Sequence, residues 1–348
     1  MLRVSYPELF DTLLRVLLKQ GFAAERARRC AQLFADANRD GVYSHGLDRF
    51  PRFLSMIQRG LIDIHAEPML VSTSGTLERW DGKGGPGNLN AYQCMDRAIA
   101  LSQEHGVGCV ALANTNHWMR GGSYGWQAAD AGVVGICWTN TLPNLPPWGA
   151  SDPRVGNNPM VIAVPRPKGH VVLDMAMSQF SYGALASYRM RGELLPVDGG
   201  FDADGRLTRV PEAIEASNRP LPIGFWKGSG LALMLDLLAA LLSGGKATHQ
   251  ITPDPDRETM LSQVFIALNP SQLDQSQGRT ELAAQTADRI IEYLQRSPHA
   301  DGTLVRYPGQ RVLSIRKENL EIGVPVDPSI WQHLQLLEAW RADEERSV

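Results

Sequence analysis

Apolar positions near the start of the chain recur with helical spacing. Leu9, Phe10, Leu13, Leu14 and Leu17 form one stripe. A Ser5/Glu8 capping box precedes it, Pro7 sits in the first turn where its missing N–H costs nothing, and Gly21 ends it. Ala27, Cys30, Leu33 and Phe34 predict a second helix over 23–38. A third begins near 48–50, because Pro51 is tolerated only in a first turn. Beyond residue 88 the pattern changes. Short apolar runs at 107–112, 133–138, 161–164, 171–173 and 264–268 read as strands, and 161–164 can pair with 171–173 as a hairpin. Helical stretches at 91–104, 121–131, 228–242 and 282–296 alternate with them. The 228–242 run is very apolar and bounded by glycines, which predicts a helix buried on most sides. The tail offers a strand near Val312 and a last helix over 330–340, and the turn-rich stretch 196–222 reads as a surface excursion. This alternation predicts an α/β fold, a layered sheet flanked by helices, with a helical N-terminal part.

Composition narrows the function classes. The chain has 348 residues, enough for two lobes at roughly 150 residues each. Hydrophobic content of 43%, charged content of 20% and a net charge of −3 describe an ordinary globular protein with no electrostatic reason to bind nucleic acid. Cys30, Cys94, Cys109 and Cys137 are scattered without a CxxC pair, which fits a reducing compartment. No stretch has the order of a signal peptide, and no apolar run reaches the about 18 residues of a spanning helix. The expectation is a cytoplasmic protein with no membrane partner. His65, His105, His170, His249, His299 and His333 lack metal-ligand spacing, and Asp198, Asp202 and Asp204 before Gly205 read as a plain turn, so no metal is expected.

Four segments carry candidate chemistry. Tyr43-Ser44-His45-Gly46 places a titratable donor before Arg49 and Arg52. A histidine can protonate a developing alkoxide and an arginine fork can grip a carboxylate; a helix start with solvated arginines is the plainer alternative. Asn116-His117-Trp118-Met119-Arg120 follows a buried strand and precedes a helix, where open α/β sheets place polar ligands, unless it is only a hydrogen-bonded turn. Leu173-Asp174 ends a strand, where the aspartate meets a hydroxyl or caps the following helix, although Ser178 is the better cap. Trp226-Lys227 opens the apolar helix, a place suited to an anion or to tight glycine packing. By contrast, 82–87 matches G-x-G-x-x-G by letters only. The run before it is short and partly charged, Pro86 interrupts it, and a flexible glycine-rich turn is the better account.

Taken together, these segments resemble the type-2 malate/L-lactate dehydrogenase family, from the first helix to the last. The likeness rests on 41–46 with 49–53, on 116–129 (NHWMRGGSYGWQAA), on 135–140 with 146–150, and on 195–202. Within the family it is greatest to the branch that reduces diketo sugar acids such as 2,3-diketo-L-gulonate. The resemblance implies a non-Rossmann mixed sheet, a homodimer, and NADH or NADPH held near the subunit interface. It implies that His45 is the proton donor. It implies cofactor contacts from His170, Val171, Val172, Leu173, Asp174, Met175 and Ala176, from Trp226 and Lys227, and from Gly309, Gln310 and Arg311. The family usually reads Pro-Gly-Glu where this chain has Pro308-Gly309-Gln310, so the usual charge is missing and the choice of cofactor stays open.

The combined expectation is a reductase of a 2-oxo sugar acid. Arg49 clamps the carboxylate, with Arg52 as second candidate. Asn116, His117 and Arg120 orient the substrate, and Ser44 fixes the His45 tautomer. The alternatives are a reductase of another 2-oxo acid or of a cyclic imino acid, and a non-catalytic sugar-acid binding protein. The expected division is 1–90 as the helical part carrying the histidine, 91–310 as the cofactor-binding core, and 311–348 as a tail returning to the N-terminal part.

Overall fold

The computed structural model describes residues 2–273, 279–298 and 304–339. β1 (Leu2–Val4) leads into α1 (Tyr6–Lys19), where the Ser5 hydroxyl accepts the Glu8 N–H and Leu9, Leu13, Val16 and Leu17 are buried. α2 (Ala24–Arg39) buries Ala27, Cys30 and Phe34 in the same core. Two 3-10 turns, Tyr43–His45 and Leu47–Arg49, then carry the chain into α3 (Phe50–Gln58), with Pro51 in its first turn. This segment is pinned at both ends. The Asn38 side chain, in the last turn of α2, accepts the Leu47 N–H, and Phe34 meets Phe50 edge-on at 5.0 Å.

The main sheet has seven strands in the order β2-β3-β4-β10-β5-β6-β7. β2 (Met69–Ser74) and β3 (Leu77–Asp81) precede α4 (Gly87–His105) and β4 (Val107–Asn116). Next come α5 (Gly122–Asp130), β5 (Val134–Thr139) and the hairpin β6 (Met160–Val164) and β7 (Val171–Met175). Residues between β7 and α8 (Trp226–Ser243) form an excursion with α6 (Tyr182–Arg191), the short pair β8 (Gly200–Phe201) and β9 (Leu207–Thr208), and α7 (Pro211–Ser217). β10 (Thr259–Leu268) then enters the centre of the sheet between β4 and β5. Among the described residues only β3 and β4 pair in parallel, so the sheet is mixed as expected. α4 and α5 cover one face through Met95, Ala98 and Trp126, and α8 covers the other through Ala232, Leu235 and Ala239. The chain ends with α9 (Arg279–Gln295), α10 (Gln310–Ile322), β11 (Val324–Val326) and α11 (Pro328–Ala339). β11 pairs with β1, and Trp331 and Leu334 join the N-terminal core. Trp340, the residues after it and His299 lie outside the described residues.

Several expectations are corrected. Val312 lies in α10, and the nearby strand is β11, whose three residues are too few to show a period. α8 is not buried on most sides. Leu231, Met234, Leu238 and Leu241 stand exposed along one stripe, because a sheet covers only one side of the helix. The same helix spans 18 residues at mean hydropathy 1.3, long and apolar enough to cross a membrane by length and composition. Lys227 and Asp236 interrupt its apolar run, which is why no uninterrupted run of about 18 residues is seen in the sequence, although the mean stays high. Asp236 accepts hydrogen bonds from Asn140 and the Thr248 N–H. Ser178 does not cap α6; Ser181 does, accepting the Ala184 N–H at 3.2 Å.

The 82–87 loop is the expected glycine-rich turn, but a buried one rather than a flexible one. A strand precedes it and a helix follows, yet it is packed shut. A methyl group on Gly87 would stand 2.1 Å from the Asn116 carbonyl oxygen, so the start of α4 packs directly on the end of β4.

Candidate active site

The 3-10 turn of Tyr43–His45 and the loop after β4 bring the two candidate histidines together. The His45 and His117 rings stack at 6.0 Å between centroids and 22° between planes. Both lie deep in the fold and keep part of their surface exposed. Ser44 Oγ lies 3.0 Å from His45 Nδ1. His117 Nδ1 accepts the Met119 N–H at 3.0 Å, so an uncharged His117 carries its proton on Nε2. Burial first, then Arg49 and Arg120, pushes His45 down to about 4. Burial, Arg49, His45 and Arg52 hold His117 well below its ordinary value. Both rings are therefore uncharged at neutral pH in the ligand-free chain.

The arginines beside this pair are poorly neutralised. Arg49 Nη2 is 3.8 Å from Glu258 Oε2, a loose contact, and Glu258 also accepts the Leu142 N–H at 3.2 Å. Burial and Arg52 lower Arg49 to about 10, which leaves it charged at neutral pH. Arg52 Nε stands 3.4 Å from Asp256, but its Nε and Nη2 are buried and make no hydrogen bond among the described residues. A buried donor left without an acceptor costs about 1–3 kcal/mol, so this pocket favours an incoming anion.

Arg120 is held differently. Its Nη1 donates to Asp40 at 2.6 Å, and Asp40 is buried and also meets Arg39 at 2.8 Å and Arg316 at 2.7 Å through each of its oxygens. These cations hold the Asp40 carboxyl well below the usual range despite its burial. Arg120 Nε has no partner among the described residues. Asn116, expected on the substrate, turns its amide hydrogens to the Gly84 and Gly85 carbonyls at 2.7 and 2.9 Å and so holds the 82–87 loop.

A cleft of about 510 Å³ lies beside Arg120 and Val42, the latter three residues before His45. It brings together Val172, Leu173 and Asp174 of β7 with Gly309, and adds Trp126, Arg306 and Tyr307. The Val172 N–H donates to the Pro308 carbonyl at 3.0 Å, which joins the two segments. Asp174 Oδ2 accepts the Gly122 N–H at 2.8 Å, so it caps α5 rather than the helix after it. Burial raises its carboxyl against the pull of Arg120. Aromatic rings, a carboxylate and two guanidinium groups suit a nicotinamide dinucleotide, whose rings stack and whose diphosphate is anionic.

The other expected cofactor residues sit around this cleft or away from it. His170 bonds Asp130 at 2.9 Å and the Arg166 N–H at 3.0 Å, and it packs on Trp126. Val171, Met175 and Ala176 flank the lining stretch. Gln310 accepts the Tyr307 N–H at 3.2 Å and so caps its own turn, while Arg311 is exposed. Trp226 and Lys227 are exposed at the start of α8 and do not line the cleft. Sequence reasoning missed Glu258, Asp40 and Arg316. Only the fold brings Glu258 to Arg49, and Asp40, just past the end of α2, carries no motif that singles it out in the sequence.

Known proteins resemble this chain along nearly its whole length. The profile of the malate/L-lactate dehydrogenase family matches residues 4–335. The 2,3-diketo-L-gulonate reductases of Citrobacter koseri and Haemophilus influenzae are 45% and 46% identical, over 97% of this chain and all of theirs. The sulfolactate dehydrogenase of Methanocaldococcus jannaschii superposes with a TM-score of 0.87 at 28% identity, over 97% of this chain and 96% of that one. The delta1-piperideine-2-carboxylate reductase of Pseudomonas syringae superposes with a TM-score of 0.85 at 30% identity, over 97% of this chain and 100% of that one. A profile match along nearly the whole chain, with relatives aligned end to end, makes this chain a member of the malate/L-lactate dehydrogenase family.

Proposed function

We propose that this chain reduces the keto group of a 2-oxo sugar acid with NADH or NADPH, and that 2,3-diketo-L-gulonate, giving 3-dehydro-L-gulonate, is its substrate. The observation that carries the reading is the stacked His45–His117 pair beside Arg49 and Arg52, next to the cleft of Val172, Asp174 and Gly309. Val172, Leu173, Asp174 and Gly309 would hold a nicotinamide cofactor in that cleft, which would supply the hydride. Arg49 grips the carboxylate, and Arg52 adds its unpartnered donors. His45 delivers a proton to the carbonyl oxygen as charge develops there, a role worth about 10²–10⁴-fold. The cations that depress His45 are offset when an anion binds, so its affinity for a proton rises in the complex. Ser44 steadies Nδ1, and His117 presents its Nε2–H to the substrate hydroxyls.

In this reading the helical part and the returning C-terminal segment hold the substrate side, and the sheet holds the cofactor. The exposed stripe of α8 supports a homodimer, since a monomer rarely leaves such an apolar face uncovered. The second reading is reduction of a cyclic imino acid, favoured by the likeness to the piperideine-carboxylate reductase. A panel of 2-oxo acids and cyclic imines, each with NADH and NADPH and followed at the nicotinamide absorbance, separates the two. The fastest turnover is expected with the diketo acid. Turnover of the imine alone would replace the first reading by the second.

A further inference from the structure

The excursion at 179–222 leaves and rejoins the core at one place. Ser178 bridges to Pro222, the Gln179 N–H donates to the Leu221 carbonyl at 2.7 Å, and the Ile223 N–H donates to the Met177 carbonyl at 2.8 Å. Beyond these paired stalks it has its own apolar cluster of Leu185, Leu195 and Ile214. Tyr182 Oη donates to the Asn144 carbonyl at 3.0 Å and Arg219 Nε to the Ser151 carbonyl at 2.6 Å, which draws the excursion down onto the core.

Its first helix, α6, places Gly183 against Ser44. A methyl group on Gly183 would stand 2.9 Å from both Cβ and Oγ of Ser44. Carbon atoms do not pack that closely, and Ser44 Cβ cannot turn away without moving its own backbone. Gly183 is helical with no left-handed backbone, so its conformation does not require glycine. Alanine would favour a helix more than glycine does, which leaves the contact with Ser44 as the reason for the missing side chain. The hydroxyl it touches is the one 3.0 Å from His45 Nδ1.

We infer that Gly183 is a positioning residue: the excursion seats on Ser44 through it and thereby holds the Ser44–His45 hydrogen bond in register. The inference rests on the proposed role of His45.

The test is a double-mutant cycle. Gly183→Ala should fold and melt like the parent chain, keep its KM for NADH, and lose about 10–100-fold in kcat for 2,3-diketo-L-gulonate, the size expected of a misplaced donor. Its kcat–pH profile should also shift, which mere loosening of the excursion would not cause. In a Ser44→Gly background, where both contacted atoms are gone, the same change should cost less than about twofold. An equal loss in both backgrounds, or an unchanged kcat and pH profile in the single variant, would overturn the inference. The ring-nitrogen NMR signals of His45, assigned by their loss in His45→Gln, should move in Gly183→Ala. If they stay in place the inference fails, whereas signals that move in a chain that reduces no 2-oxo acid would count against the reading of His45 alone.

Discussion

Two groups of arginines lie close together in this molecule, and they are bonded in opposite ways. Arg39, Arg120 and Arg316 converge on the buried carboxylate of Asp40 with contacts of 2.6–2.8 Å. Arg49 and Arg52 meet Glu258 and Asp256 only at 3.8 and 3.4 Å, and Arg52 keeps buried donors that bond nothing among the described residues. The first group ties the end of α2 to the loop before α5 and to α10, so it sets where the Ser-His-Gly segment stands. The second faces the histidines with donors to spare. Residue type does not separate a structural cation from a binding one; the tightness of its ion pairs does, and Arg120, bonded to Asp40 but with its Nε left without a partner among the described residues, stands between the two groups.

That contrast can be broken in order of effect. Asp40→Ala leaves three guanidinium groups without their carboxylate and should cost about 3–5 kcal/mol in denaturant unfolding. A loss below about 1 kcal/mol would mean that the cluster holds little. Arg49→Lys should raise KM for the keto acid by about 10–100-fold, because an ammonium cannot fork onto a carboxylate, with unfolding little changed. An unchanged KM would move the clamp elsewhere.

The pH dependence differs too. The unfolded chain protonates its histidines first, so stability present above 6.5 should be lost as pH falls toward about 4, the folded value of His45. Asp40, held low, gives up its contribution progressively as pH falls through the ordinary carboxylate range and below it. Replacing His45 and His117 by Gln should flatten the upper part of an acid-unfolding curve and leave the lower part. The smallest effect falls outside both groups. Leu241→Glu on the exposed stripe of α8 should weaken self-association in light scattering and leave the melting of the isolated subunit nearly unchanged.

The helices were legible because their apolar stripes are local, and α1 and α2 begin and end within a residue or two of their signals. The strands at 107–116 and 134–139 were legible as apolar runs, but nothing in those runs announces that β10 inserts between them. Val312 misled because valine and leucine at 312 and 313 suit a strand as well as a helix face. At the site, the Ser-His-Gly segment and His117 were legible by residue type, and the fold stacks them. The partners of Asn116 and Arg120 within the fold were not. Their chemistry fits a substrate, and only the geometry shows Asn116 turned to the 82–87 loop and Arg120 bonded to Asp40. Glu258 was invisible for a related reason, since its partner Arg49 lies far away in sequence.

The central claim is that His45 supplies the proton. Steady-state reduction of 2,3-diketo-L-gulonate by His45→Ala, measured beside NADH binding by fluorescence, tests it most directly. The account predicts a fall in kcat of about 10²–10⁴-fold with NADH affinity retained. Turnover at the rate of the parent chain would contradict it.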